Sequence, residues 1–109
     1  MARTKMSDEL TTLVAERIKA LADPARVRLL SALRDGERSV GDLVDDTGLT
    51  QANASKHLAR LHQLGFVTRQ RDGLHINFSL ADRDVLKLCD LMCGRIEAET
   101  RTRRRLFPQ

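Results

Sequence analysis

Cys89 and Cys93 stand four residues apart in a segment with helical periodicity. On a helix that spacing puts two thiols on one face, about 6 Å apart. Such a pair can hold a soft, thiophilic metal or a metalloid such as arsenite, or, joined by a second chain, set four sulfurs around one ion. It can also be oxidised or bridged by sulfur species, although parallel Cβ vectors on a regular helix strain a direct disulfide. Plain packing explains the same spacing. Cysteine is small and apolar, and Cys89 falls on a stripe with Val85, Met92 and Ile96, flanked by Leu88 and Cys93. Both readings stand at this point.

A second set lies between Thr50 and Arg71, a stretch with no Asp or Glu. If Ala54, Leu58 and Leu61 are buried, a helical wheel turns Ala52, Lys56, Ala59 and Gln63 outward, bordered by Asn53, Ser55 and Arg60. Short Ala and Ser side chains allow close approach to base edges. Gln51 and Asn53 can pair with adenine, and the Ala52 methyl can touch thymine. Lys56, Arg60 and the N–H groups near Thr50 suit phosphates. Arg69, Arg71 and His75 extend this basic surface beyond the helix. The bland alternative is a solvated positive face, but an ordinary exposed helix mixes acids with its bases, and this one has none.

The placement of charge sharpens the point. The net charge is +4. Arg3 and Lys5, with five Arg against two Glu in residues 95–109, account for more than all of it. Within the body, residues 35–49 hold five acids against one Arg, whereas residues 50–76 hold Lys56, Arg60, Arg69 and Arg71 against Asp72 alone. That local stripe is a candidate phosphate-facing surface.

The elements that must carry these residues follow from periodicity and caps. Leu10, Leu13, Val14, Ile18 and Leu21 mark a first helix with Ser7 as N-cap. Asp23-Pro24 starts a second, with Val27, Leu30 and Leu33 inward and Leu29 alongside, ending at Asp35-Gly36. Ser39 opens a third, closed by Gly48. Thr50 opens a fourth, closed by Gly65. The tight turn between these two predicts a helix-turn-helix, with Leu49 against Ala54 as the staple. The period then drops to two: Leu74, Ile76, Phe78 and Leu80 alternate with polar residues, and residues 66–71 pair with them through Asp72-Gly73. A fifth helix runs from Asp82 to about Glu99. The expected fold is mainly α with a small β-hairpin: five helices and a two-stranded wing. Residues 1–7 are expected to form a flexible arm, 8–99 the domain, and 100–109 a basic, loose tail.

Composition bounds the function. No apolar run approaches the ~20 residues needed to span a bilayer, and the polar start points to the cytoplasm. Three Phe and no Trp or Tyr exclude a stacking platform for single strands. No phosphate-cradling glycine loop, metal-binding His helix or nucleophile-base motif supports an enzyme.

Ala22-Asp23-Pro24-Ala25-Arg26-Val27-Arg28-Leu29-Leu30, Gly48 through Leu61, Gly65-Phe66-Val67 and the Arg71-Asp72-Gly73 wing together resemble the ArsR/SmtB family of bacterial metal- and stress-sensing repressors, over about residues 8–98. The resemblance implies a winged helix-turn-helix, a homodimer built on the first and last helices, a palindromic operator in the nucleoid, and release by an effector. Two-fold symmetry would set the two reading helices about one DNA turn, ~34 Å, apart. The family's thiol site in the helix before the turn is missing, since this chain reads Arg38-Ser39-Val40-Gly41-Asp42-Leu43. At its site on the last helix stand Asp82, Asp84, Arg95 and Ala98, of which only the first matches the ligand expected at its place, and Arg95 would repel a cation. Cys89 and Cys93 remain as effector candidates. An inducer-independent regulator or partner-binding module with structural cysteines is the alternative. His57 reads as half-buried packing, His62 as exposed, and His75 as support for the wing or a phosphate.

Overall fold

The computed structural model describes residues 5–107. Its elements are α1 (Asp8–Leu21), α2 (Pro24–Ala32), β1 (Arg38–Ser39), α3 (Val40–Thr47), α4 (Gln51–Gln63), β2 (Val67–Asp72), β3 (His75–Leu80) and α5 (Asp84–Leu106). The three strands form an antiparallel sheet in the order β1-β3-β2. Among the described residues no helix is long and apolar enough to cross a membrane.

The helix starts fall where short polar side chains can take up orphan N–H groups. Ser7 Oγ accepts from Leu10 N at 3.1 Å, Ser39 Oγ from Asp42 N at 3.1 Å, and Thr50 Oγ1 from Asn53 N at 3.1 Å. Asp23 takes two, from Ala25 N at 2.8 Å and Arg26 N at 3.3 Å, with Pro24 at the first helical position. Gly48, at φ 74°, ends α3 in the left-handed conformation and leaves only Leu49 and Thr50 before α4. Leu49 packs against the core to which Ala54 belongs.

That core is Leu29, Leu30 and Leu33 of α2 with its C-cap, Leu43 of α3, Ala54, Leu58 and Leu61 of α4, Val67 and Phe78 of the sheet, and Val85 and Leu86 of α5. It locks α2, α3, α4 and the wing into one head and holds α5 by its first turn alone.

Several expectations are corrected. The sheet has a third strand, β1, which pairs Arg38 with Phe78 and Ser39 with Asn77; a two-residue strand offers no periodicity to read. The hairpin turn is Gly73-Leu74, because Asp72 still pairs with His75. The deciding contacts lie at the base of the hairpin, where Val67 sits opposite Leu80 and Ala81 N donates to Phe66 O at 3.0 Å. Leu74 is therefore at the tip and not on the buried face. Val27 is exposed, with Leu29 facing inward in its place, and α2 ends at Ala32, ahead of Asp35-Gly36. The boundary drawn at residue 99 falls inside α5, which continues helically through the basic stretch to Leu106. Arg95 pairs with Glu99 at 3.7 Å, Thr102 Oγ1 donates to Ala98 O at 3.0 Å, and Arg103, Arg104 and Arg105 sit in the last turn, where cations complement the helix dipole. Residues 1–4, 108 and 109, part of the expected arm and tail, lie outside the described residues.

Candidate nucleic-acid interface

Helix α4 is positioned by what it buries. Ala54, Leu58 and Leu61 are wholly inside, and this fixes its rotation. Thr50, Gln51, Ala52, Asn53, Ser55, Lys56, Ala59, Arg60 and Gln63 are all exposed. Arg60 Nη1 donates to Gln63 Oε1 at 3.0 Å. Among the described residues Lys56, Arg60, Arg69 and Arg71 form no ion pair, whereas Arg34, Arg38, Lys87 and Arg95 each face a carboxylate. Arg38 is held by Asp46 at 2.7 Å and Asp42 at 3.9 Å, while Asp45, the third acid of α3, forms no ion pair among the described residues. Among the described residues the cations of α4 and the wing are thus without a carboxylate partner.

The wing splits its basic residues between two faces. Cross-strand partners share a face of a sheet. Arg69 and Arg71 therefore stand with Phe78 and Ile76, while His75 stands with Asp72, and beyond it Gln70 faces Asn77. The sequence grouped the three residues at the tip without separating these sides. A cleft of about 500 Å³ joins the wing tip to the start of α4, lined by Gln51 and Ser55, by Leu74, His75 and Ile76, and by Asp42 and Asp45 of α3. Base-reading and wing candidates thus border one continuous surface.

Helix α4 is also tied to the rest of the chain by a polar relay that periodicity does not reveal. His57 Nδ1 accepts from Arg26 Nε at 3.2 Å, and Arg26 Nη1 donates to Ala20 O, near the end of α1, at 3.0 Å. His57 is half-buried, as expected of it, and His62 is exposed. Partial burial pushes the Asp23 carboxyl up, but the N–H groups of Arg26 and Ala25, with the positive charge of Arg26, hold it below the usual carboxylate range.

On α5, Cys89 is half-buried and Cys93 exposed, and both thiols are free. Asp90, between them, takes a two-pronged hydrogen bond from Arg34 of the α2–β1 connection at 2.8 and 3.2 Å. That hydrogen bond lowers the Asp90 pKa and raises that of Arg34. Arg83 Nη1 donates to the Arg34 carbonyl at 3.1 Å, so the clasp joins both ends of the α5 start to the head. Among the described residues no three His, Cys, Asp or Glu gather into a set able to hold a metal ion. The thiols of one chain offer two soft donors, and a complete soft-metal site would draw the rest from a second chain or the solvent.

Comparison with known proteins converges on one group. The family model for bacterial regulatory proteins of the arsR family matches residues 23–69, which span α2 to the base of the wing. The chain is 42% identical over 83 residues to the uncharacterized HTH-type transcriptional regulator Rv0081 of Mycobacterium tuberculosis, covering 75% of this chain and 73% of that protein. The crystal structure of Rv0081 superposes with a TM-score of 0.75 at 37% identity, over 90% of this chain and 98% of that one. The antimony-specific transcriptional repressor AntR gives 0.78 at 31% identity over 92% of both chains. Mb0332 of Mycobacterium bovis, described as a homodimeric winged helix-turn-helix DNA-binding domain, gives 0.72 at 32% identity, over 87% of this chain and 91% of that one. The five helices and the wing are thus those of a DNA-binding transcription regulator, and the chain belongs to the ArsR family.

Proposed function

We propose that the chain acts as a homodimeric repressor that lays α4 of each protomer in successive major grooves of a palindromic operator and releases it when a thiophilic species engages Cys89 and Cys93. The observation that carries the dimer is uncovered apolar surface. Leu13 and Ile18 of α1 and Leu88, Leu91, Met92, Ile96 and Leu106 of α5 are the large apolar side chains left open on the two helices. The homodimeric state described for Mb0332 supports the same arrangement.

On DNA, Gln51, Ala52, Asn53 and Ser55 are assigned to base edges, and Thr50, Lys56 and Arg60 to phosphates. Arg69, Arg71 and His75 are assigned to the backbone or the minor groove beyond. For the effector, AntR is specific for antimony, and trivalent antimony shares with arsenite an affinity for paired thiols. Cys89 sits beside the Arg34–Asp90 clasp, so a ligand drawn to it acts where α5 joins the reading head. The half-burial of Cys89 next to Val85 and Leu86 favours a second reading, in which the thiols pack and no inducer acts on them.

The test is the affinity for a duplex selected from a random pool, measured with and without arsenite, soft metal ions, persulfide and peroxide, for the wild type and for Cys89→Ser/Cys93→Ser. Release of the wild type by one of these agents, with the double variant unresponsive, supports sensing. A wild type indifferent to all of them establishes the second reading.

A further inference from the structure

The tip of the wing carries a residue that neither turn chemistry nor packing explains. Gly73 has φ +62° and no other residue type in the described chain has positive φ, so Gly73-Leu74 has the sign pattern of a type II′ hairpin turn, with Leu74 second. Turn positions of this kind go to Gly, Asn, Ser or Asp, whose side chains solvate well or bond to the local backbone. Here the residue is leucine, 99% exposed. It lies four residues out along β3 from Phe78, the last buried side chain of the wing, about 13 Å at strand rise. It cannot reach the core.

We propose that Leu74 is a specificity-determining DNA contact: an apolar wedge that the wing seats in the minor groove next to the major groove read by α4. The inference rests on the DNA arrangement proposed above and adds a residue to it. Three observations converge. Leu74 borders a cleft with Gln51 and Ser55 of α4, closed on its third side by Asp42 and Asp45 of α3, so the tip and the reading helix lie on one surface. Its ribbon carries Arg69 and Arg71 on one face and His75 on the other, so a ribbon entering edge-on meets a phosphate wall on either side. Asp72 accompanies His75, which makes the arginine face the stronger of the two. Finally, a minor groove about 6 Å wide admits one aliphatic side chain, and its floor is smooth at A·T pairs but carries the guanine N2 amino group at G·C pairs. A leucine pressed there disfavours the amino group and favours steps that open easily.

The experiment uses the full chain and a duplex selected by the wild type, with the base pairs under the wing located by footprinting. Those pairs are then replaced one at a time by G·C and by inosine·C, which has a major groove like G·C but a minor groove like A·T. The expected result is that wild type loses affinity for G·C and keeps it for inosine·C. Leu74→Ala should bind the selected duplex about ten-fold more weakly, lose the discrimination against G·C, and keep the salt dependence of wild type. Arg71→Ala should instead flatten that salt dependence. Leu74→Ala binding and discriminating like wild type would overturn the proposal, as would a loss that tracks weaker dimerisation in sedimentation. A wild type with no preference for any duplex would overturn the DNA arrangement itself and this inference with it, a result distinct from an indifferent Leu74.

Discussion

Leu91 tests whether a second copy covers α5, as proposed above. It is 73% exposed in the single chain and lies past the turn that Val85 and Leu86 anchor, so its replacement leaves the core of the head untouched. Fully burying a leucine is worth about 1.5–3 kcal/mol, so covering the open part of Leu91 is worth about 1–2 kcal/mol per copy. A two-fold interface counts each position twice, giving about 2–4 kcal/mol per dimer. Leu91→Glu removes that gain and adds a charge to be desolvated, so the dimer dissociation constant should rise at least about 30-fold and up to about 1,000-fold. Sedimentation equilibrium over a dilution series reads the shift directly, with far-UV circular dichroism as the check that the helices persist. Affinity for a two-half-site duplex should fall in parallel, because a monomer engages only one half. A variant that sediments with the dissociation constant of wild type, or a wild type that is monomeric at tens of micromolar, would show that the open face of α5 is not the dimer interface.

The remaining predictions concern the reading head and the clasp. Lys56→Ala should weaken binding to every duplex and reduce the slope of log K against log salt by about 0.9 per protomer, as for one lost phosphate contact; an unchanged slope would mean that Lys56 points away from the backbone. Gln51→Ala and Asn53→Ala should leave that slope alone and change which base is preferred in a selection experiment. Thr50→Ala should cost about 1 kcal/mol by uncapping α4, seen as a lower melting temperature, with the first turn of α4 losing hydrogen-exchange protection first. Acid should destabilise the fold through Asp90 and Asp23, whose folded-state pKa values are depressed. The unfolded chain then binds the proton more tightly, so their contribution is complete above about pH 4 and disappears as pH falls through the lower folded values. Asp90→Asn should lower stability at neutral pH and reduce the loss between pH 5 and pH 2. An unaltered acid profile would rule out the Arg34–Asp90 clasp as a contributor.

How much of this was legible in the sequence depends on the range of the interaction that decides each feature. Helix α4 was legible down to its exposed side chains, because a cap at Thr50, three buried residues at helical spacing and a closing glycine are all local. So were the caps of α1, α2 and α3. The wing was legible as a hairpin but misplaced by one residue at its turn. Asp72-Gly73 is a strong local signal, yet the register was settled at the far end, by Val67 opposite Leu80. That displacement took Leu74 out of the supposed core and set it at the tip. The contacts joining elements were not legible at all: Arg26 to His57, Arg34 to Asp90 and Asn77 to Glu37 are separated by 31, 56 and 40 residues, and a charged or amide side chain carries no periodic mark of its partner. For α5 local rules worked against the reading. The Arg-rich end reads as a loose tail, but arginine is a good helix former and three of them at a C-terminus face the negative end of the dipole. A helix of 23 residues, about 35 Å long, with one turn seated in its own head, has most of its apolar side chains outside any core that this chain builds alone. The dimer proposed above would cover them, and Cys89, one residue before the Asp90 that Arg34 clasps, stands where that interface would meet the head.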